Sequence, residues 1–174
     1  MVGVANIRMA RRVAVVGSPG AGKSTLARRI AAATGLPLVH LDQEHWRPGW
    51  VEPPVEEWRA IQRGLVARER WVIDGNYGPE LAMRAERADV IVWLDPPTAL
   101  CLWRVVKRMV TTGGQVRADM APGCPERFDR AFLLYVATFR REQRPLVVER
   151  LAGRWDQVIQ LRSRREVRAF VEAL

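Results

Sequence analysis

Cysteine is scarce in this sequence, and its scarcity narrows the classes of protein to consider. Only Cys101 and Cys124 are present, far apart and without the paired spacing of a metal-binding motif. A chain of 174 residues can form a hydrophobic core without disulfides. The sequence therefore favours a reducing, cytoplasmic environment and argues against a disulfide-stabilised fold.

Long apolar runs are also missing. The first residues, "MVGVANIRMARR", contain no long apolar run before their arginines, which argues against a signal peptide or an anchor. No segment approaches the ~18 uninterrupted apolar residues that a membrane span requires. The sequence shows no internal repeat and no domain linker. We therefore expect one soluble domain over residues 1–174, without a membrane partner and with residues 1–10 left open as a flexible extension.

Acidic residues are fewer than basic ones. The chain has 28 Lys and Arg against 19 Asp and Glu, which gives a formal net charge of +9. Such a balance favours an anionic partner, and nucleotides, nucleic acids and anionic membranes all meet that description. The net charge alone does not show which of these partners the protein binds.

Short apolar runs alternate with helical patterns along most of the chain. This alternation is typical of βα units, in which parallel strands form a sheet covered by helices on both faces. Strands are predicted at residues 12–16, 36–42, 71–75, 89–95 and 156–161. The sequence thus predicts a three-layer α/β fold with a five-stranded parallel sheet.

The stretch "GSPGAGKST" directly follows the first predicted strand and opens a helix. It matches the phosphate-binding pattern G-x-x-x-x-G-K-[ST] at Gly17, Gly22, Lys23 and Ser24. In such a loop Lys23 reaches the β- and γ-phosphates of ATP, and the Ser24 hydroxyl ligates Mg²⁺. The residues predicted to cradle the triphosphate are Gly17, Ser18, Pro19, Gly20, Ala21, Gly22, Lys23, Ser24 and Thr25.

The absence of certain motifs argues against some classes of P-loop protein. The guanine-reading pattern N-K-x-D does not occur, which argues against a Ras-like GTPase. The stretch "TGGQ" at 112–115 is similar to the signature of transporter ATPases, but the chain is short and no predicted strand ends in Asp-Glu. A small kinase is therefore favoured.

Three predicted strands end in an aspartate, where an open parallel sheet presents residues to its ligands. Asp74 is predicted on the magnesium side, because Gly75 after it permits a sharp turn. Asp42 is predicted to bind the acceptor or act as general base, whereas Asp95 more often marks a strand exit and helix start. His40 is expected to be a packed histidine, and the role of His45 is left open.

The polar, glycine-rich stretch 111–126 is a candidate mobile lid, judged too polar to be core. A helix predicted after it carries an apolar stripe on one face and arginines on the other. Arginines beside a lid can stabilise the charge that develops during phosphoryl transfer, and Arg127 and Arg141 are the candidates for that catalytic role. A solvated basic face explains them equally well.

Three tryptophans lie near the exit of the second predicted strand: Trp46, Trp50 and Trp58. Aromatic rings at this place can stack on the base or sugar of an acceptor. More often such residues close a core, and both interpretations stay open.

The chain resembles a known family over nearly its whole length. Five stretches carry the resemblance: "VAVVGSPGAGKSTLARRIA", "LPLVHLDQEHWRPGW", "WVIDGNY", "VIVWLDPP" and "APGCPERFD". They look like the bacterial adenylate-kinase-related P-loop proteins often labelled DNA topology modulation proteins. The resemblance implies a nucleoside and nucleotide kinase-like fold with a short lid, strand order 2-3-1-4-5, and ATP and Mg²⁺ as ligands.

The resemblance also places Asp74-Gly75 at the Asp-Gly of adenylate kinase's D-G-F-P-R motif. Here "DGNYG" replaces that motif, so the arginine that adenylate kinase brings from this loop is missing. This departure argues against specific phosphorylation of AMP. The lid carries Cys124 alone, so a structural zinc is not expected.

Two functions from different classes follow. The first is a Mg²⁺-dependent kinase that transfers the γ-phosphoryl group of ATP to an anionic or hydroxylated small molecule, a nucleoside or a nucleotide. The second is an ATP-regulated, nucleic-acid-associated protein, for which the net charge and the arginine face are the motive. A polynucleotide end as acceptor would join the two. The sequence leaves the oligomeric state undetermined.

Overall fold

The sheet is parallel, has five strands and runs in the order β2-β3-β1-β4-β5, as predicted. A computed structural model describes residues 3–174. Its strands are β1 Arg12–Gly17, β2 Leu38–His40, β3 Trp71–Asp74, β4 Val90–Leu94 and β5 Val158–Leu161. Because the order reverses on either side of β1, the loop that leaves this strand opens into a crevice at the carboxyl edge.

Helices connect the strands and cover the sheet. They are α1 Val4–Met9, α2 Lys23–Thr34, α3 Leu41–His45, α4 Val55–Ala67, α5 Leu81–Arg87, α6 Thr98–Thr111, α7 Arg130–Glu142, α8 Arg144–Arg150 and α9 Arg164–Glu172. Short 3₁₀ turns precede α5 and β5. In residues 3–174, no helix is long and apolar enough to cross a membrane.

The alternation of side chains along β1 builds a core on each face of the sheet. Val13 and Val15 pack with residues of α2, α6 and α9 on one face, and Ala14 and Val16 pack with α4 and α5 on the other. All four side chains are fully buried. A strand that is buried on both faces reads as a continuous apolar run, which is why "RVAVV" was recognisable as the central strand.

The second strand is shorter than predicted. Residues 36–42 were expected to form a strand ending in Asp42, but β2 ends at His40, and Asp42 lies in the first turn of α3. Pairing ends where His40 stands opposite Asp74, the last residue of β3. The following "LDQEH" places Asp42 and Glu44 in a helical first turn, where carboxylates interact favourably with the helix dipole.

The amino-terminal segment is folded over its described part. Met1 and Val2 of the suggested extension lie outside the described residues. Val4–Met9 form α1, and the Ile7 side chain is fully buried in the same core as Val13. This segment is therefore helical and contacts the core through Ile7.

The lid segment, defined here as residues 112–129, connects α6 to α7. The sequence judged most of it too polar to be core, yet Met120, Ala121 and Cys124 form a small third apolar cluster with Trp46 and Trp50. Gly49 N–H donates to the Gly123 carbonyl at 2.9 Å. The segment therefore packs on the loop that follows α3. Both cysteines are free and buried.

Candidate active site

A cleft of about 1710 Å³ opens at the carboxyl edge of the sheet. Its floor is formed by the phosphate loop, residues 17–25, and by the ends of β3 and β4. Its walls come from α3 and the loop after it, from the loop between β3 and α5, from the lid segment and from α9. This is where an open parallel sheet binds its ligands.

Glycines let the phosphate loop curve tightly against its neighbours. Gly17 has φ of 145°, and a Cβ there would collide with the Leu94 carbonyl oxygen. Gly20 has φ of 78°, and its Cβ would lie 2.5 Å from the Cys101 carbonyl oxygen. Both positions thus require glycine, and the resulting concave backbone is the shape that binds phosphates.

Lys23 and Ser24 stand in the first turn of α2, a helix of twelve residues whose amino end adds partial positive charge. Lys23 Nζ donates to the Ser18 carbonyl at 3.2 Å, so its ammonium group lies across the loop. Arg104 on α6 donates to the Ala21 carbonyl at 2.9 Å and supports the loop from outside.

Asp74 ends β3 at the cleft and is 4% exposed. Its Oδ2 lies 2.9 Å from His40 Nδ1, while its Oδ1 has no hydrogen-bond partner within the described chain. An unpartnered buried carboxylate oxygen that shares a cleft with Ser24 suits Mg²⁺, which takes oxygen ligands and keeps several waters. His40 is packed, as expected, and also orients Asp74.

No group of three or more His, Cys, Asp or Glu residues within 3–174 could hold a metal ion alone. Mg²⁺ does not need such a cage, because it binds through one or two protein oxygens together with substrate phosphates. The residues present therefore fit Mg²⁺ that enters with a nucleotide.

Asp42 faces the same cleft from α3. Its Oδ1 accepts a hydrogen bond from the Tyr77 hydroxyl at 2.7 Å. Burial, followed by the negative charge of Asp42, raises the pKa of Tyr77 far above its usual value, so this hydroxyl stays protonated and donates. The sequence did not identify Tyr77 as a site residue.

The turn after β3 is hydrogen-bonded to the start of the phosphate loop. Asn76 Oδ1 accepts a hydrogen bond from the backbone N–H of Gly17 at 2.9 Å. Arg84, fully buried behind the turn, donates to the Asn76 carbonyl and to Gln62. Burial lowers the pKa of Arg84 to about 10, so the guanidinium remains charged at neutral pH.

Aromatic rings line the wall next to Asp42. The His45 ring lies 4.6 Å from Trp58 and 4.5 Å from Tyr77, and Trp46 lies 5.3 Å from Trp50, measured between centroids. Trp58 is buried in the core, while Trp46 and Trp50 are half-buried beneath the lid segment. Each tryptophan both packs and lines the cleft.

The structure separates the two candidate lid arginines. Arg127 lines the cleft, with its guanidinium carbon 5.3 Å from the Trp50 ring centroid. Arg141 is 79% exposed, pairs with Glu142 at 2.7 Å and is not among the described residues that line the cleft. The helix α7 begins at Arg130, directly after the lid segment, and Arg141 lies eleven residues further along it, which corresponds to about 16 Å of helical rise.

Two other arginines face the phosphate loop from α6 and the lid segment. Glu126 pairs with Arg108 at 3.0 Å and with Arg117 at 3.1 Å. Arg117 also lies 3.4 Å from Asp119. Burial raises the pKa of Asp119, but Arg117 and the neighbouring Ser24 hydroxyl outweigh it and lower the pKa overall. Asp119 is therefore ionised at neutral pH. The sequence had singled out neither residue of the Arg117–Asp119 pair.

Asp95 has a structural role. Its Oδ2 accepts from Arg144 Nε at 3.0 Å and from Gln160 Nε2 at 2.9 Å. These contacts join the ends of β4 and β5 to α8. The interpretation of Asp95 as a strand exit agrees with this position.

His45 provides a pH-dependent prediction. Burial lowers the pKa of His45 below 6.5, although Glu52, Asp42 and Glu80 act in the opposite direction. The unfolded chain then binds the proton more readily, so the contribution of His45 is complete above pH 6.5 and is lost as the pH falls toward the folded pKa. As the pH is lowered from 6.5 toward the folded pKa, we expect the free energy of unfolding, measured by urea titration, to fall more steeply for the parent than for His45→Gln. Equal slopes would contradict the prediction.

The fold was compared with known proteins. No protein-family model and no curated protein sequence matches the chain. The shikimate kinase of Acinetobacter baumannii, solved with shikimate, matches with a TM-score of 0.62 and 17% identity, over 97% of this chain and 93% of its own. The shikimate kinase of Bacteroides thetaiotaomicron matches with a TM-score of 0.57 and 16% identity, over 94% and 95%. At such identities the likeness establishes a P-loop kinase fold.

Proposed function

We propose that this protein is a Mg²⁺-dependent kinase that transfers the γ-phosphoryl group of ATP to a hydroxyl of a small molecule. The observation that carries the proposal is the meeting of two features in one cleft. A phosphate loop with Lys23 and Ser24 forms one end, and Asp42, held by Tyr77, faces the other. The shikimate kinases of the same fold, one of them solved with a hydroxylated small molecule, support an acceptor of this kind.

The transfer step assigns a task to each residue. The acceptor oxygen forms a bond to the γ-phosphorus, and the bond from that phosphorus to the β,γ-bridging oxygen breaks, releasing ADP. The acceptor proton passes to the Asp42 carboxylate and then to water. Tyr77 occupies Oδ1 of Asp42 and leaves Oδ2 for the acceptor hydroxyl. Lys23 and the backbone N–H groups of the loop hold the phosphates.

Ser24 and Asp74 would hold Mg²⁺, which when bound neutralises charge on the phosphates. His40 lies 2.9 Å from Asp74 Oδ2 and holds the carboxylate in one orientation. The unpartnered Oδ1 is therefore already positioned, and Mg²⁺ binding would cost little side-chain entropy. Arg127 and Arg117 belong to the lid segment and line the cleft. Arg117 also pairs with Asp119 at 3.4 Å. Of the arginines named from sequence, Arg127 is kept in this proposal and Arg141 is not.

The relation to the adenylate-kinase-related topology modulation proteins remains part of this proposal. The nucleic-acid alternative has the net charge of +9 as its motive. Two of the exposed arginines that suggested it are paired with carboxylates: Arg141 with Glu142, and Arg127 with Asp129 at 3.7 Å. A small-molecule acceptor is therefore favoured.

The experiment that tests the proposal is a coupled assay of ADP release with ATP and Mg²⁺ across nucleosides, nucleoside monophosphates, hydroxylated metabolites and short nucleic-acid ends. We expect one class of small hydroxylated acceptor to stimulate ADP release, and chelation of Mg²⁺ to abolish it. Tight ATP binding with no stimulation by any acceptor, together with salt-sensitive DNA binding, would overturn the kinase and favour the nucleic-acid alternative.

A further inference from the structure

The cleft is electrostatically asymmetric. We define its acceptor end as the cleft-lining residues from Asp42 to Glu80. This end carries four carboxylates, Asp42, Glu52, Asp74 and Glu80, and within the described chain none of its lining residues is Lys or Arg. On a protein with an excess of nine positive charges, such a local reversal is not expected from composition.

The opposite end is basic. The cations that line it come from the phosphate loop, α2, α6, the lid segment and α9. They are Lys23, Arg28, Arg29, Arg104, Arg108, Arg117, Arg127, Arg164 and Arg168. Four carboxylates line this end as well, Asp119, Glu126, Asp129 and Glu172, so its cations exceed its carboxylates by five. This distribution suits a triphosphate at one end and disfavours a second anion at the other.

Two of the four carboxylates have a basic partner, and two do not. Glu80 lies 3.6 Å from Arg59, and Asp74 lies 2.9 Å from His40. Asp42 instead accepts from the uncharged Tyr77 hydroxyl, and Glu52 is exposed at the wall. Within residues 3–174, neither Asp42 nor Glu52 has an Arg or Lys partner within 4 Å.

The histidine in this wall does not restore the balance. Burial lowers the pKa of His45 below 6.5, so its ring is uncharged at neutral pH. Together with Trp58 and Tyr77 it presents aromatic surface beside the carboxylates. Aromatic faces attract ammonium groups, and carboxylates strengthen that attraction. The Trp50 ring already holds the Arg127 guanidinium at 5.3 Å, which shows that this wall accepts a cation.

We infer that the acceptor is a hydroxylated molecule that carries a positive charge, such as an amino alcohol or an amino sugar. This inference rests on the proposed kinase function. The hydroxyl lies at Asp42, and the ammonium group lies against Glu52 and the half-buried ring of Trp46, since Trp58 is buried in the core and Trp50 already contacts Arg127. An acceptor carrying a carboxylate or phosphate would instead meet Asp42 and Glu52, and the Arg127 guanidinium at Trp50 already pairs with Asp129 at 3.7 Å.

The test compares molecules that differ in charge but not in scaffold. Glucosamine, glucose and glucuronate form one set, and choline with its uncharged carbon isostere neohexanol forms the second. Each is titrated calorimetrically into the protein loaded with ADP and Mg²⁺, and each is assayed for ADP release with ATP. We expect the cation of each set to bind about tenfold more tightly than its neutral partner, and glucuronate to bind most weakly.

Glu52→Gln is expected to reduce this preference for the cation several-fold while leaving ATP binding unchanged. Glu44→Gln is the matched control, because Glu44 is exposed on α3 and is not among the described residues that line the cleft. Its preference is expected to equal that of the parent. An equal loss in both variants would show that the effect is general electrostatics and would overturn the assignment of Glu52.

The outcomes separate the inference from the function on which it rests. Cation-selective binding without ADP release in any mixture would support the charge of the acceptor and overturn the kinase. ADP release stimulated best by an anionic acceptor would support the kinase and overturn the charge. Binding that is absent or independent of charge would also overturn the inference.

Discussion

Replacing Lys23 with alanine is expected to lower acceptor-dependent ADP formation by about 10²–10³-fold, the usual cost of removing one preorganised donor to developing charge. The Lys23 ammonium lies across the phosphate loop, 3.2 Å from the Ser18 carbonyl. In the proposed kinase it would stabilise the charge that moves toward the β,γ-bridging oxygen. No apolar core contact depends on it, so the thermal midpoint should change little. Steady-state rates and melting curves of both proteins measure the effect.

The chain offers a matched control, since Lys107 is its other lysine. Lys107 lies on α6 with Nζ 5.1 Å from the Trp103 ring centroid, and among the described residues it does not line the cleft. Lys107→Ala should retain the parental rate. A Lys23→Ala protein that is as active as the parent would contradict the role of the phosphate loop and with it the kinase.

Local patterns made the fold and the phosphate loop predictable. The loop is a contiguous stretch whose glycines, lysine and serine have fixed spacing, and the strand before it is buried on both faces. The Ser163 cap of α9 is equally local, because its hydroxyl accepts from the Glu166 N–H three residues later at 3.2 Å. Such features need no knowledge of which distant residues meet.

Long-range contacts could not be predicted in this way. Tyr77 meets Asp42 across 35 positions of sequence, and Asn76 meets Gly17 across 59. Each contact depends on how the β3 turn folds back, and Tyr77 does so with a φ of 36°, which its sequence does not announce. The sequence named both Arg127 and Arg141 as candidates for the same reason, because helical periodicity gives a face but not the distance from the cleft.

Asp42→Asn is expected to lower kcat by about 10²–10⁴-fold, the range attributed to general acid–base catalysis, with little change in ATP affinity. Asparagine keeps the shape of the side chain, and its carbonyl oxygen can still accept from the Tyr77 hydroxyl. The amide, however, cannot take the proton of the acceptor. Rates at saturating acceptor, with calorimetric titration of nucleotide, separate this loss from a loss of binding.

Tyr77→Phe distinguishes a base from a group that only positions the acceptor. Without the hydroxyl, the Asp42 carboxylate keeps its charge but loses the partner that fixes its orientation, so a smaller fall in kcat is expected than for Asp42→Asn. If Asp42 served only to position the acceptor, both variants would raise KM and leave kcat near the parental value. A parental kcat in Asp42→Asn would therefore rule out proton transfer to this carboxylate, and the base would have to be sought at Asp119, a carboxylate of the lid segment that also lines the cleft.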